Sequence, residues 1–295
     1  MKGISIIVCS VKPEECRKML ESVRSTIGTD FETLVFDNRT HNYGICQVYN
    51  QSAEKAKFPY LCFVHEDVIM ATENWGKVLI DFAEATPDCG AIGFAGGTIV
   101  HKNFLGWVWG PSGRYRYYDR IGGGKALSID ELSYSYNNPN NESFAKVITL
   151  DGLFLFISKD AWKEYPFDED KIKGFHFYDA DFSLGISQHR QNYACLSCDI
   201  YHLSGGNANI TYYENMLGFQ QKWKCRLPCT IDGAKIRMRE ELANAYHIYL
   251  QGRRYGMSRR MCIRHIIQIN GIVFFFLLCL SAIFWEIKKR LYSIG

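Results

Sequence analysis

The sequence lacks the features that identify several large classes of protein. Its net charge is only +3, and its clear basic clusters all flank one apolar segment near the C-terminus, which argues against a nucleic-acid-binding protein. Its 11 cysteines are an odd number without a disulfide framework, which predicts reduced thiols in a cytosolic protein. No segment repeats along the chain, and Gly122-Gly123-Gly124 lacks the spacing of a phosphate-binding loop.

The N-terminus also lacks a convincing signal peptide. The apolar run at residues 4–9 is too short, and Pro13-Glu14-Glu15 follows where a cleavage site would stand, so this run predicts a buried strand. Two cysteine pairs, Cys195/Cys198 and Cys225/Cys229, leave a structural zinc site open as a minor alternative. The first pair alternates within a predicted strand, and the second has a spacing that is not typical of zinc sites.

Apolar runs alternate with helical patterns over the first hundred residues. Strands are predicted at residues 4–9, 32–36, 60–64 and 90–95, with amphipathic helices between them. This order is typical of βαβ units, and it predicts an α/β fold with a mainly parallel sheet flanked by helices. The pattern breaks between residues 96 and 144, a stretch too long for a simple connection, which predicts a functional loop region with short strands.

A C-terminal apolar helix is predicted at residues 266–285. A helix of that length spans about 30 Å, close to the thickness of a bilayer core. Basic residues flank it on both sides, and more of them precede it than follow it. This predicts a protein at the cytoplasmic face of a membrane, either peripheral or anchored by its C-terminus. Docking of this helix on the protein itself, or dimerisation through it, is the alternative.

Acidic side chains follow two of the predicted strands. Asp37 comes directly after the second strand, and Glu66 and Asp67 follow the third. In an open α/β sheet, ligands bind at the carboxyl ends of the strands. These carboxylates therefore predict a site for a sugar nucleotide or a metal ion.

These residues and several later motifs resemble those of a family-2 glycosyltransferase, over about residues 3–210. No single motif is specific, but together they occur in the order found in that family. The motifs are Ile4-Ser5-Ile6-Ile7-Val8, Asp37, Tyr49-Asn50, Glu66-Asp67, Asp151-Gly152, Pro166-Phe167-Asp168-Glu169, Tyr178-Asp179-Ala180-Asp181 and His202-Leu203-Ser204-Gly205-Gly206.

The resemblance implies a GT-A fold, a nucleotide-diphosphate sugar donor, Mn2+ or Mg2+, and inversion at the anomeric carbon. Asp67 and His202 match the metal ligands, and Asp179 matches the general base, with Asp181 as the second candidate. The remaining predicted site residues fall into a donor set and an acceptor set. The donor set is Ser10, Asp37, Asn50, His65 and Glu66; the acceptor set is Trp107, Trp109, Asp151 and Gly152.

The sequence departs from the family pattern at two positions. His65 replaces the first acid of the family's D-x-D motif, which puts metal affinity and metal choice in question. Tyr178 replaces the glutamate that precedes the general base. These departures keep open a non-catalytic, glycosyltransferase-like binding protein. A sugar nucleotidyltransferase is a third possibility, although the loop at residues 10–13 lacks that class's glycine-rich, basic pattern.

The predicted organisation is a catalytic domain followed by two helical segments. Residues 1–230 form the GT-A domain, with a nucleotide-sugar half at 1–100 and an acceptor half at 101–230. Residues 231–262 form a helical extension, and residues 263–295 form the membrane-associated helix with its basic flanks. The predicted partners are a sugar-nucleotide donor, a glycan or lipid-linked acceptor used in surface polysaccharide synthesis, and a membrane surface, without nucleic acid.

Overall fold

A computed structural model describes residues 2–104, 106, 112–119, 129–203 and 210–292 of the chain. The chain divides into two compact units. Unit 1 comprises Met1–Ile99 and Trp107–Asn207, and unit 2 comprises Val100–Gly106 and Ala208–Gly295. The predicted acceptor residues Trp107 and Trp109 lie outside the described residues.

The first half of the chain alternates strands and helices, as its apolar pattern predicts. The elements up to the irregular region are β1 (Ile4–Ser10), α1 (Pro13–Thr26), β2 (Phe31–Asp37), α2 (Ile45–Lys55), β3 (Tyr60–Val64), β4 (Val68–Met70), α3 (Trp75–Ala85), β5 (Cys89–Gly93), β6 (Ala95–Gly97) and β7 (Ile99–Val100).

The second half of the chain is richer in short strands and ends in helices. After β7 come β8 (Gly113–Asp119), a 3-10 turn (Ile129–Glu131), β9 (Ser133–Asn137), β10 (Phe144–Val147), β11 (Thr149–Leu150), β12 (Phe154–Ser158), α4 (Lys159–Glu164), α5 (Tyr178–Ile186), β13 (Gln191–Cys195), β14 (Ile200–His202), α6 (Ile210–Trp223), β15 (Cys229–Thr230), α7 (Met238–Arg254), α8 (Arg259–Asn270) and α9 (Ile272–Tyr292).

A mainly parallel sheet forms the centre of unit 1. Among the described residues it has seven strands in the order β10-β13-β5-β12-β3-β1-β2. Strand β1 pairs in parallel with β2 and β3, and β5 pairs in parallel with β13, whereas β12 and β10 run antiparallel to their neighbours. The predicted α/β class with a mainly parallel sheet is confirmed. The carboxyl ends of β1, β2 and β3 therefore lie at one edge of the sheet. The acidic residues at the ends of β2 and β3 are thus on the same edge, as the predicted site requires.

Apolar side chains cover both faces of this sheet. Ile4, Ile6 and Val8 of β1 point into one core, which α1 and α3 complete. Ile7 of the same strand points into the other core, which is completed by helices including α2 and α5. This alternation follows from the two-residue period of a strand, and burial on both faces explains why β1 is an almost continuous apolar run.

A smaller sheet places the late histidine beside the third strand. It has the order β11-β6-β8-β14-β4 among the described residues, with β9 paired to β8. In the antiparallel pair of β4 and β14, His202 lies opposite Val68, and the Leu203 N–H donates to the Asp67 carbonyl at 2.9 Å. This pairing brings two sequence-distant segments together at the carboxyl end of β3.

Unit 2 contains α6 to α9, and a small core of Leu242, Ala245, Ile266 and Leu278 joins α7, α8 and α9. The predicted continuous helix at residues 266–285 is wrong, because the chain ends α8 at Asn270 and starts α9 at Ile272. Between them Gly271 adopts φ +88°, a left-handed conformation that breaks a helix and that glycine tolerates best. Within the described residues, no helix combines the length and apolar character needed to cross a bilayer.

Candidate functional site

Three potential metal ligands meet at the carboxyl end of β3. The ligand atoms of His65, Asp67 and His202 all lie within 4.8 Å of one another. The Nε2 atom of His202 is 3.6 Å from Oδ1 of Asp67, whose residue is only 7% exposed. Two imidazoles and a carboxylate in a cluster of this size suit a divalent cation, so the donor set fits the predicted ion.

The alternative zinc site at the cysteine pairs gains no support. Among the described residues, His65, Asp67 and His202 form the one group of three or more potential ligands close enough to share an ion. All the cysteines are free thiols, and neither Cys195 nor Cys198 joins such a group.

His65 is held from two directions. Its backbone N–H donates to the Leu153 carbonyl at 3.0 Å, and its Nε2 atom lies 2.7 Å from the Tyr178 hydroxyl. Burial lowers the pKa of His65, against the opposing effect of the Asp67 charge. A neutral imidazole keeps one nitrogen lone pair available for a ligand. The residue that departs from D-x-D thus remains able to bind a metal.

Asp179 is the second residue of α5 and is partly buried. Its Oδ2 atom accepts a hydrogen bond from the Gly152 N–H at 2.9 Å. Burial raises the pKa of the Asp179 carboxyl to about 7, and the charge of Asp151 acts in the same direction. A carboxylate with a pKa near neutrality is suited to accept a proton during a reaction.

Gly152 has a structural reason to be glycine. A Cβ atom placed there would lie 2.2 Å from the Tyr178 hydroxyl and 2.9 Å from Cβ of Asp179. Its neighbour Asp151 accepts a hydrogen bond from the Leu153 N–H at 3.0 Å. The two predicted acceptor residues that the structure describes, Asp151 and Gly152, therefore lie close to Asp179, and their contact with an acceptor stays a prediction.

Asp181 points to different surroundings from Asp179. It is 1% exposed, and the Tyr165 hydroxyl lies 3.4 Å from its Oδ2 atom. Two residues apart on a helix, side chains diverge by about 200°. Asp179 and Asp181 therefore have different surroundings, and the role of either as the proton acceptor stays a prediction.

The predicted nucleoside contact lies at the ends of β1 and β2. Ser10 stands opposite Asp37 in the parallel register of these strands. The Asp37 carboxylate is exposed and pairs with the Arg39 guanidinium, whose hydrogen bonds lower the pKa of Asp37 to about 2. The Asp37 side chain is therefore ionised at neutral pH and exposed to solvent. It is accessible to a ligand, and its contact with a nucleoside stays a prediction.

Two predicted donor residues have partners within the protein. The Glu66 carboxylate accepts hydrogen bonds from the Ser10 hydroxyl and from the N–H groups of Val11 and Lys12, and so fixes the loop before α1. The Asn50 side chain pairs with both backbone polar groups of Phe167. Direct donor contacts by Glu66 and Asn50 stay predictions.

The structure adds aromatic residues that the sequence patterns did not single out. Beside Asp37, the rings of Phe36, His41 and Tyr43 form a cluster with centroids 5.2–5.7 Å apart. Beside the potential metal ligands, Phe175 is 53% exposed, and the centroid of its ring lies 5.3 Å from that of His65. The run of aromatics at residues 175–178, directly after a glycine, is the sequence signal that could have indicated the second group.

Backbone conformation near Phe175 is unusual. Gly174 has φ +76°, and the buried Phe177 has φ +65°, a region that bulky residues rarely occupy. For a residue other than glycine, such a conformation costs on the order of 1–3 kcal/mol, and residues strained in this way cluster at functional sites. The strained turn fixes how Tyr178 and Asp179 enter α5.

Comparisons with known proteins bear on the fold and the family of this chain. No curated protein matches the sequence. The fold is similar to that of GalNAc-T7 crystallised with UDP, GalNAc and Mn2+, with a TM-score of 0.52, 11% identity, and coverage of 91% of this chain and 55% of that one. The chain thus spans about half the length of that structure.

Two further structures are similar at lower scores. One is TarS 1–349 from S. aureus in complex with UDP-GlcNAc, with a TM-score of 0.47, 11% identity, and coverage of 91% of this chain and 71% of that one. The other is the mannosyltransferase PcManGT from Pyrobaculum calidifontis in complex with GDP-Man and Mn2+, with a TM-score of 0.47, 9% identity, and coverage of 99% and 83%. A profile described as a glycosyltransferase-like family matches residues 5–221, well over half of the sequence, and this chain therefore belongs to the glycosyltransferase-like family.

Proposed function

We propose that this protein is an inverting, metal-dependent glycosyltransferase. It transfers a sugar from a nucleotide-diphosphate sugar to a glycan or lipid-linked acceptor in surface polysaccharide synthesis. One observation carries the proposal: His65, Asp67 and His202 cluster at the carboxyl end of the parallel sheet, and Tyr178 connects His65 to the adjacent Asp179. The proposed base therefore directly follows, in the sequence, the residue that contacts a proposed metal ligand.

The first requirement of this chemistry is a place for the diphosphate. His65, Asp67 and His202 would hold Mn2+ or Mg2+, and a bound divalent ion supplies positive charge that stabilises a diphosphate leaving group. The similar fold of GalNAc-T7, which was crystallised with UDP and Mn2+, supports this assignment. Ser10 and Asp37 lie at the ends of β1 and β2, where the nucleoside part of the donor would bind.

The second requirement is a group that removes the proton from the acceptor hydroxyl. Asp179 takes this role, because its raised pKa makes it a stronger base than an exposed carboxylate while leaving it ionised for much of the time at neutral pH. The acceptor oxygen attacks the anomeric carbon as the bond to the nucleotide diphosphate breaks. A single displacement of this kind inverts the configuration.

Nucleotide binding tests the proposal directly. Thermal unfolding should be measured with a panel of nucleoside diphosphates, with and without Mn2+. A ligand at a hundred-fold excess over its Kd stabilises the folded state by about 2.7 kcal/mol, which raises Tm by several degrees. We expect such a shift for one nucleotide, and only with the metal. No shift with any nucleotide would contradict a donor site.

The same preparation separates the alternative functions. A glycosyltransferase transfers or slowly hydrolyses its sugar nucleotide, and proton NMR of the first product reports the anomeric configuration. A non-catalytic relative would bind the nucleotide with metal but leave the sugar nucleotide intact. A nucleotidyltransferase would release pyrophosphate from a nucleoside triphosphate and a sugar phosphate.

The proposal extends to location at the cytoplasmic face of a membrane. Helix α9 leaves an apolar face exposed whose positions recur at helical spacing, and exposed arginines precede it on α8. An apolar face next to positive charge suits the surface of an anionic bilayer. The apolar residues and their exposed fractions are Ile272 (50%), Val273 (71%), Phe276 (62%), Leu277 (42%), Leu280 (66%) and Ile283 (58%); the arginines are Arg259, Arg260 and Arg264.

A vesicle-binding measurement tests this location. The double variant Phe276→Asp/Leu280→Asp should weaken co-sedimentation with phosphatidylcholine–phosphatidylglycerol vesicles by about tenfold or more, because it removes two apolar contacts and adds negative charge. Ile129→Asp is the matched control, since Ile129 is an exposed apolar residue of unit 1. Unchanged vesicle binding, or a dimer that the double variant dissociates, would contradict the membrane proposal.

A further inference from the structure

The Tyr178 hydroxyl has three hydrogen-bond partners in a buried network. It lies 2.7 Å from Nε2 of His65 and donates to the Gly152 carbonyl at 2.8 Å. The Tyr49 hydroxyl is a third partner. Tyr178 is 3% exposed, and its hydroxyl fills the space that a Cβ atom of residue 152 would occupy. The phenol therefore has little freedom to move.

The number of protons available determines which group donates in each hydrogen bond of the Tyr178 hydroxyl. A phenol has a single proton to donate, and a carbonyl oxygen can only accept. The Tyr178 proton therefore goes to the Gly152 carbonyl, and the other neighbours must donate to the phenol oxygen. His65 accordingly carries its proton on Nε2.

This arrangement determines which nitrogen of His65 can bind a cation. A protonated Nε2 has no lone pair, so Nδ1 is the atom that remains for coordination. We propose that Tyr178 is a positioning residue that holds His65 in the Nε2–H tautomer and thereby presents Nδ1 to the divalent ion. This inference rests on the metal site of the proposed function. It also explains both departures from the family motifs, His65 and Tyr178, because the first residue binds the ion and the second orients the first.

The pair also bears on the choice of metal. Two imidazoles and one carboxylate form a ligand set with more nitrogen than oxygen, and Mg2+ prefers oxygen ligands and retained water. A fixed imidazole at residue 65 therefore favours a transition-metal ion such as Mn2+ over Mg2+. Loss of the Tyr178 hydroxyl should reduce this preference, because the ring can then rotate or change tautomer.

The tautomer can be measured without metal or substrate. Long-range 1H–15N NMR of the metal-free protein at mildly alkaline pH distinguishes protonated from unprotonated ring nitrogens. The His65 signals are identified by their loss in His65→Gln. We expect Nε2 to be protonated in the wild type and a mixture of tautomers in Tyr178→Phe. An Nδ1–H tautomer in the wild type would overturn the inference.

Metal affinity gives the second readout. Titration of Mn2+ followed by the EPR signal of the free ion should show an affinity about 10- to 100-fold weaker in Tyr178→Phe, the usual effect of removing a partner that orients a metal ligand. Tyr165→Phe is the matched control, because its hydroxyl contacts Asp181 on the same helix, and it should bind Mn2+ normally. Circular dichroism and Tm confirm that both variants are folded.

The outcomes separate this inference from the proposed function. Normal Mn2+ binding by the wild type with an unchanged affinity in Tyr178→Phe would overturn the role of Tyr178 alone. No Mn2+ binding by the wild type would overturn the metal site, and this inference with it. Weaker binding in Tyr178→Phe together with the Nε2–H tautomer in the wild type would support both.

Discussion

Asp67→Ala should abolish metal-dependent turnover. Asp67 is the one carboxylate in the proposed ligand set, so its loss leaves two imidazoles and removes the negative charge that attracts a divalent cation. A catalytic metal stabilises the transition state by several kcal/mol, which corresponds to a loss of about 10²- to 10⁴-fold in kcat/KM. Steady-state sugar transfer at saturating Mn2+ measures the effect.

Two further variants make this result specific. Asp67→Asn keeps the shape of the side chain and removes the charge, so it should lose activity nearly as completely. Asp160→Ala removes an acid whose side chain is 89% exposed and should behave as wild type. A purified, folded Asp67→Ala protein with full activity would show that the metal assignment is wrong.

The fold could be predicted from the sequence because the patterns that indicate its strands and helices are local. Burial on both faces turns Ile4–Ser10 into an apolar run, and helical spacing of apolar residues identifies α1. The parallel arrangement then places Asp37 and Asp67 at one edge of the sheet without further information. The break at Gly271 was missed, although a glycine inside an apolar helix is a known signal for one.

The site depends on contacts that local patterns do not contain. His202 approaches Asp67 because a three-residue strand, β14, pairs with another three-residue strand, β4, and such short elements have almost no periodicity. Tyr178 reaches His65 across 113 residues of sequence. Glu66 and Asn50, two polar residues predicted to bind the donor, form hydrogen bonds to backbone groups of the protein, and residue type alone does not predict such contacts.

Asp179→Asn should be the second variant with a large loss of activity. An amide cannot accept the acceptor's proton, and removal of a general base typically reduces kcat by about 10²- to 10⁴-fold. Wild-type activity should rise with pH through the pKa of about 7 that burial gives Asp179. One pH unit below that value, only about a tenth of the molecules hold the ionised base. A rate profile over pH measures this directly.

Asp181→Asn is the matched comparison, because it makes the same chemical change two residues along the same helix. If Asp179 is the base, Asp181→Asn should retain the wild-type pH profile even if burial of the altered side chain lowers the amount of folded protein. A loss of turnover in Asp181→Asn with full activity in Asp179→Asn would reverse the assignment.

The thermal stability of Asp179→Asn gives an independent test of the effect of burial on the pKa of Asp179. The folded state raises the pKa of Asp179 from 3.8 to about 7, so it binds this proton more tightly than the unfolded state does. The resulting stabilisation is fully present below pH 3.8 and is lost as the pH rises through 7. Asparagine never ionises, and its side-chain oxygen can still accept from the Gly152 N–H. The variant should therefore unfold at higher temperature than the wild type above neutral pH, and this advantage should shrink in acid. An inactive variant that is more stable than the wild type is the result expected when a partly buried charge serves the reaction and not the fold.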